Sequence, residues 1–270
     1  MRFARRGISA ATILVIGLLL TVLTQVGGVI FGLSLAFSYL FRRHCPHLWR
    51  RYIVTTAIFL SLYLFACIIV VPALARHFNR VPLSCFPTSD APYAANTGLY
   101  CLLNRHYVRP EIRAIVEKIA SRLSARFPGT TLTYLDAGFP FGSAIPMPPH
   151  LSHKDGRKVD FALFYNGRPS GGAWPLGYWA FGAPRRPGND VCPQSGLMRW
   201  DMDWLQPFLP RLELDEMRSR ALVREILATA PQKSFLEPYL VERLGLQGQG
   251  VIFAGCHAAR HDDHIHVQWQ

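Results

Sequence analysis

Two long uncharged apolar runs constrain this chain more than any other feature. Ile8 to Phe41 is a 34-residue stretch without a charge, and Tyr52 to Ala75 is another of 24. A bilayer core takes about 20 apolar residues of helix, so the second run fits one span. The first is too long for one and short for two, with Thr24, Gln25, Gly27 and Gly28 near its middle. It reads either as a tight hairpin about Gly27-Gly28 or as one tilted helix with an interfacial end. Neither run has a polar face, and both exceed the usual length of a buried core helix, so both are expected in a membrane.

The charges agree. Residues 1–75 carry seven arginines and no Lys, Asp or Glu; the other 22 Lys and Arg share the rest of the chain with all 17 Asp and Glu. The densest basic clusters flank apolar runs instead of lining a polar helix, which argues against nucleic acid as a partner. Half the residues are hydrophobic, which excludes a disordered chain. Arg42, Arg43, Arg50 and Arg51 lie between the runs, and short Arg-rich loops stay cytoplasmic. Residues 76–270 are then expected outside. Pro72-Ala73-Leu74-Ala75 also resembles a signal-peptidase site, so cleavage after Ala75 is the alternative to a permanent anchor.

Four cysteines fall in the outer part, Cys85, Cys101, Cys192 and Cys256. An even number in an exported segment suggests two disulfides. Cys85–Cys101 with Cys192–Cys256 is the preferred pairing, chosen because the first two are close in sequence. A cysteine-based metal site is the competitor, but no Cys-x-x-Cys is present.

The outer part reads as one α+β domain, the whole chain being membrane helices followed by an extracytoplasmic domain whose antiparallel sheet carries a zinc site. Residues 1–75 form the membrane region, 76–107 a linker and covering loop, and 108–270 the zinc-site domain. Pro110 opens an amphipathic helix with Ile112, Ile115, Val116, Ile119 and Leu123 at helical spacing. Strands are expected at 130–135, 158–165, 250–254 and 265–269, helices around 200–209 and 214–229, and a loop-rich 166–198 holding Trp174, Tyr178 and Trp179.

Five of the ten histidines fall in two clusters. One is His150-x-x-His153, followed by Asp160; the other is His261-Asp-Asp-His264-Ile-His266. Nitrogen and carboxylate ligands suit zinc, and a hydrolytic site needs three of them plus an open position. On a strand His264 and His266 share one face, so a metal on His266 would have the His264 imidazole beside it. A lone His is ordinarily structural, and Asp262 and Asp263 can simply pair with Arg260 or His261. Both arrays in one domain are harder to dismiss. His44, His47, His77, His106 and His257 are given no role.

His153-x6-Asp160 with a late His264-x-His266 resembles the lysostaphin/D-Ala-D-Ala group of zinc metallopeptidases. The extended His150-x-x-His153 and His261-x-x-His264-x-His266 forms are similar to penicillin-insensitive murein endopeptidase. The resemblance covers about 140–166 and 255–269, and the membrane-embedded N-terminus departs from the family's secreted form. It implies that His153, Asp160 and His266 hold Zn²⁺ with a water in the fourth position. It gives His264 a part in proton transfer or oxyanion stabilisation, with His261 a second candidate. His150 holds a second, weaker metal or only lines the cleft. The implied substrate is peptidoglycan, cut at its D-Ala–diaminopimelate crosslinks in the periplasm, the enzyme being anchored in the bacterial inner membrane. The alternatives are a zinc D-Ala-D-Ala-type carboxypeptidase and a non-catalytic wall- or partner-binding membrane protein.

Overall fold

The computed structural model describes residues 9–41, 47–142, 144–148, 150–168, 177, 178, 192, 208 and 212–270. Trp174, Trp179 and the helix expected around 200–209 lie outside these residues, Phe208 excepted.

The first apolar run is broken into α1 (Ala10–Thr24) and α2 (Gly27–Leu40). The break is at Gln25, which takes φ 66°. A Cβ placed on Gly28 would collide with the Gly17 carbonyl, which in a continuous helix would lie about 16 Å away. The chain therefore doubles back, and Gly28 lets the two backbones touch. This is the hairpin reading, turned at Gln25-Val26, two residues earlier than expected. Each arm is about 21–23 Å long, short of a ~30 Å hydrocarbon core.

Leu48–Phe78 is the one helical run among the described residues long and apolar enough to cross a membrane. It begins as α3 (Leu48–Phe65), widens to a π turn over Ala66–Val70, and continues as α4 (Val71–Ala75). Pro72 has no N–H for the helical ladder, and the π turn lies just before it. Phe31 of α2 meets Phe59 of α3 edge-on, 6.2 Å between ring centres. Large apolar side chains remain exposed along the three helices, among them Leu14, Leu18, Val29, Ile53, Leu60 and Ile68.

The rest is mixed α/β. Five strands, β2 (Tyr93–Ala95), β4 (Leu132–Tyr134), β5 (Lys158–Ala162), β7 (His264–Gln268) and β6 (Lys233–Phe235), lie side by side in the order β2-β4-β5-β7-β6. A two-stranded ribbon pairs β1 (Val81–Pro82) with β3 (Tyr107–Val108). The sheet is not wholly antiparallel as expected, because β2 runs parallel to β4. Nor is 76–107 a linker. It supplies that edge strand, the short α5 (Gly98–Leu102) and the ribbon, and Tyr93 and Tyr107 are fully buried. Its punctuation by Pro and Asn marks turns between short elements, too short to show a period. The strand expected at 250–254 shrinks to one bridge, Ile252 to Phe235, and β6 with α8 (Pro238–Arg243) was not anticipated.

β5 and β7 set the frame for the site. Val159 and Phe161, with Ile265 and Val267, point to one face and join α6 (Pro110–Arg126) and α7 (Glu216–Leu227) in a single core. α6 buries Ile112, Val116, Ile119 and Leu123. Asp215 caps α7 by accepting from Arg218 N at 2.9 Å. Asp160, His264 and His266 alternate onto the opposite face. A one-residue slip would bury three ionisable groups among Val, Ile and Phe, so the register is strongly fixed. Both expected disulfides form, Cys85–Cys101 and Cys192–Cys256.

Candidate metal centre

His266 lies directly opposite Asp160 in the β5–β7 ladder, and its Nδ1 is 2.7 Å from Asp160 Oδ1. His153 enters from the loop before β5. Its Nδ1 is 2.8 Å from the Ala137 carbonyl, which can only accept, so Nδ1 carries the proton and Nε2 presents a lone pair. That Nε2 is 3.0 Å from His266 Nδ1 and 3.3 Å from Asp160 Oδ1. Two acceptors thus converge on His266 Nδ1, whose ring proton is the one available to bridge them and which offers a third ligand atom once that proton is lost. Ligands around a tetrahedral zinc at about 2.0–2.1 Å sit about 3.3 Å apart, close to the separations found. The triad fits a divalent cation of the zinc type, and all three side chains are buried.

The other oxygen of Asp160 is occupied. Tyr178 donates to Oδ2 at 2.7 Å, and His150 Nδ1 stands 3.0 Å from it. His150 Nδ1 also lies 3.1 Å from Asp136 Oδ2, so it is placed to donate to two carboxylates. Burial alone would lower its pKa, but Asp160 and Asp136 reverse this and raise it to about 10. Asp136 is in turn gripped by Arg105, whose Nη2 donates to Oδ2 at 2.8 Å. Burial opposes its ionisation, yet Arg105 and His150 bring the carboxyl down to about 2. Asp160 is likewise held well below its ordinary range, burial being outweighed by His153, His150 and His266.

His264 stands beside this cluster with its ring 6.1 Å from that of His150 and 4.9 Å from that of Tyr178. Its Nδ1 bonds to the Asp263 carboxylate, while Nε2 is buried and has no hydrogen-bond partner. Burial lowers its pKa, but the Asp263 bond and the Asp160 charge outweigh it, and the net direction is up. His150, Asp160 and His264 form a second group whose ligand atoms lie within 4.8 Å of one another. His261 packs ring to ring with His264 at 5.0 Å and His266 at 5.8 Å. Burial and the neighbouring imidazoles keep it neutral, well below its usual pKa.

All six expected site residues, His150, His153, Asp160, His261, His264 and His266, therefore meet in one place. Asp262 pairs with Arg260 at 2.9 Å, as the plain reading had it, whereas Asp263 serves His264. Sequence reasoning missed Asp136 and Arg105, and it noted Tyr178 only as an aromatic of the 166–198 loop. None of the three carries a spacing signal, since they come from separate segments. His47, His77 and His257 stay outside the cluster. His106 lies near Cys85 and Cys101, but both sulfurs are spent in the disulfide.

No protein-family model matches this chain, and no curated protein does either.

Proposed function

We propose that this chain is a membrane-anchored zinc peptidase of the bacterial inner membrane, with residues 76–270 in the periplasm. Its substrate is peptidoglycan, cut at the D-Ala–diaminopimelate crosslinks, in keeping with the resemblance to penicillin-insensitive murein endopeptidase. The reading rests on one observation: His153 Nε2, Asp160 Oδ1 and His266 Nδ1 converge within 3.3 Å of one another, beside His264, whose buried Nε2 has no hydrogen-bond partner. The two disulfides are compatible with an oxidising compartment.

A zinc ion held by His153, Asp160 and His266 would supply Lewis acidity and would lower the pKa of an adjoining water toward neutrality. Ala137 fixes the His153 tautomer, and Tyr178 ties up Asp160 Oδ2 so that Oδ1 faces inward. Such outer partners orient ligands and tune them. Asp263 holds His264 by Nδ1 and stabilises its charged form, leaving Nε2 to take a proton from the attacking water and return it to the leaving amine. His261, neutral and packed against the His264 imidazole, buttresses that ring. His150 and Arg105 balance the two buried carboxylates, because an unpaired buried charge is costly.

The test uses the whole chain, purified in detergent, zinc-loaded and incubated with crosslinked sacculi. Release of monomers from dimers, abolished by chelator and by His266→Ala, is expected. Loss of terminal D-Ala alone would convert the reading to a carboxypeptidase. A folded, zinc-bound protein that releases nothing would refute peptidoglycan hydrolysis.

A further inference from the structure

Arg80 is a buried cation without a counter-ion. It follows the Leu48–Phe78 run by two residues and is 5% exposed. Its guanidinium lies against Gly156, where φ is 71° and a Cβ would collide with it. Its side chain donates to two backbone carbonyls, from Nη1 to Asn79 O at 3.3 Å and from Nη2 to Lys154 O at 3.4 Å. Both bonds are long, and among the described residues no carboxylate forms an ion pair with it. The carboxylates nearby are committed elsewhere. Asp155 Oδ2 accepts from Lys158 Nζ at 2.7 Å and Oδ1 from Arg157 N at 3.0 Å. Glu111 lies 3.9 Å from Arg109 Nη1.

Two further guanidiniums add like charge. Arg109 and Arg157 are both partly open to solvent, and Arg157 Nε is buried with no hydrogen-bond partner. Burial and these two charges hold the Arg80 pKa below its ordinary value, with Asp155 and Glu111 offsetting them only in part. Arg80, Arg109, Arg157 and Lys158 thus face two carboxylates, and two positive charges are left uncompensated. An unpaired buried charge is costly, so a fold that keeps one gains by admitting an anion.

We infer that Arg80, Arg109 and Arg157 form a binding site for an oxyanion of the phosphate class, made of residues outside the histidine cluster. Guanidinium forks match phosphate oxygens in geometry and charge, and Arg80 spends only part of its donor set on the two carbonyls. The same arginines fasten the loop that carries His153. Arg80 bonds Lys154 O, Arg109 Nε bonds Asp155 O at 3.2 Å, and Arg109 N donates to Gly156 O at 2.9 Å. Three successive residues after His153 are held in this way. The inference does not rest on the peptidase reading. A lipid headgroup and free phosphate offer the same chemistry, and a site just past an apolar run admits both.

The experiment uses the full chain in non-ionic detergent with chelator present, so that no bound metal recruits the anion. Inorganic phosphate is titrated against chloride at constant ionic strength, read by the thermal unfolding midpoint and by phosphorus NMR line width. Saturable binding with a raised midpoint is expected. Arg157→Gln, at a partly exposed position, should weaken it at least about tenfold, and Arg80→Gln should do so where it folds. Lys118→Gln, an equal loss of charge at an exposed position of α6, should bind as the parent does. In a second arm the chain in chloride receives mixed micelles of phosphatidylglycerol or phosphatidylcholine. A midpoint raised by phosphatidylglycerol, lost in Arg157→Gln and kept in Lys118→Gln, identifies the headgroup as a source; the same pattern with inorganic phosphate identifies the free anion. No saturable response to either probe, a response that Arg157→Gln leaves unchanged, or equal weakening by Lys118→Gln would overturn the site.

Discussion

Asp160 and His266 are cross-strand partners in the β5–β7 register, and the carboxylate and imidazole meet at 2.7 Å. The candidate metal centre is therefore built on the five-residue β5–β7 pairing of the sheet. His153, delivered by a loop, needs only the Ala137 carbonyl to fix its ring. Removing one of the three should weaken metal binding more than the roughly 10–100-fold seen when an outer partner is lost. Zinc titration of His153→Ala, Asp160→Asn and His266→Ala, against one equivalent bound by the parent, checks this.

His264 should separate binding from chemistry. His264→Ala is expected to retain zinc but to lose activity by roughly 10²–10⁴-fold, the range for a positioned acid–base group. Asp263→Asn should produce the same defect to a smaller extent, with an altered pH profile, because the Nδ1 partner changes. Rate profiles and metal content measured on the same preparations decide it.

The buried His106 should make the fold acid-sensitive. Burial pushes its pKa down from 6.5 to about 4, with the Tyr100 backbone only partly offsetting this. The unfolded chain thus binds more protons between those values, and stability falls as pH drops from about 6.5 to about 4. The contribution is about 3 kcal/mol in full. His106→Leu should flatten that part of a plot of unfolding midpoint against pH, while His266, also depressed to about 4 by burial, keeps some slope. An unchanged slope would contradict the assignment.

Gln25 should behave as part of the outer domain although it lies in the first apolar run. Gln25→Leu leaves the Phe141 N–H and C=O without their partners, at a cost of about 1–3 kcal/mol for each group that stays buried. Thermal unfolding of the full chain in detergent should register the loss. A fragment starting at residue 76 exposes Asn104 and Tyr107 and should be less stable than the full chain.

Much of the outer domain was legible because its signals are local. The α6 pattern, the helix around 214–229, the strands expected at 158–165 and 265–269 and the spacings within each histidine array are each written in one short stretch of chain, although the first strand ends earlier, at Ala162. The segment 76–107 was not, since its strands are two or three residues long and gain their place only by pairing with β4 and with each other. Asp136 and Tyr178 likewise carry no mark until Asp160 has been seated between them.

The sequence by itself determined the apolar runs, the cysteine inventory and the two histidine arrays, since composition and period act along the chain. Only the tertiary structure decided which lone pairs converge. It also decided that the first run folds back at Gln25 and that its tip clamps Phe141. Those outcomes depend on register and on packing between segments more than a hundred residues apart, where no local period operates.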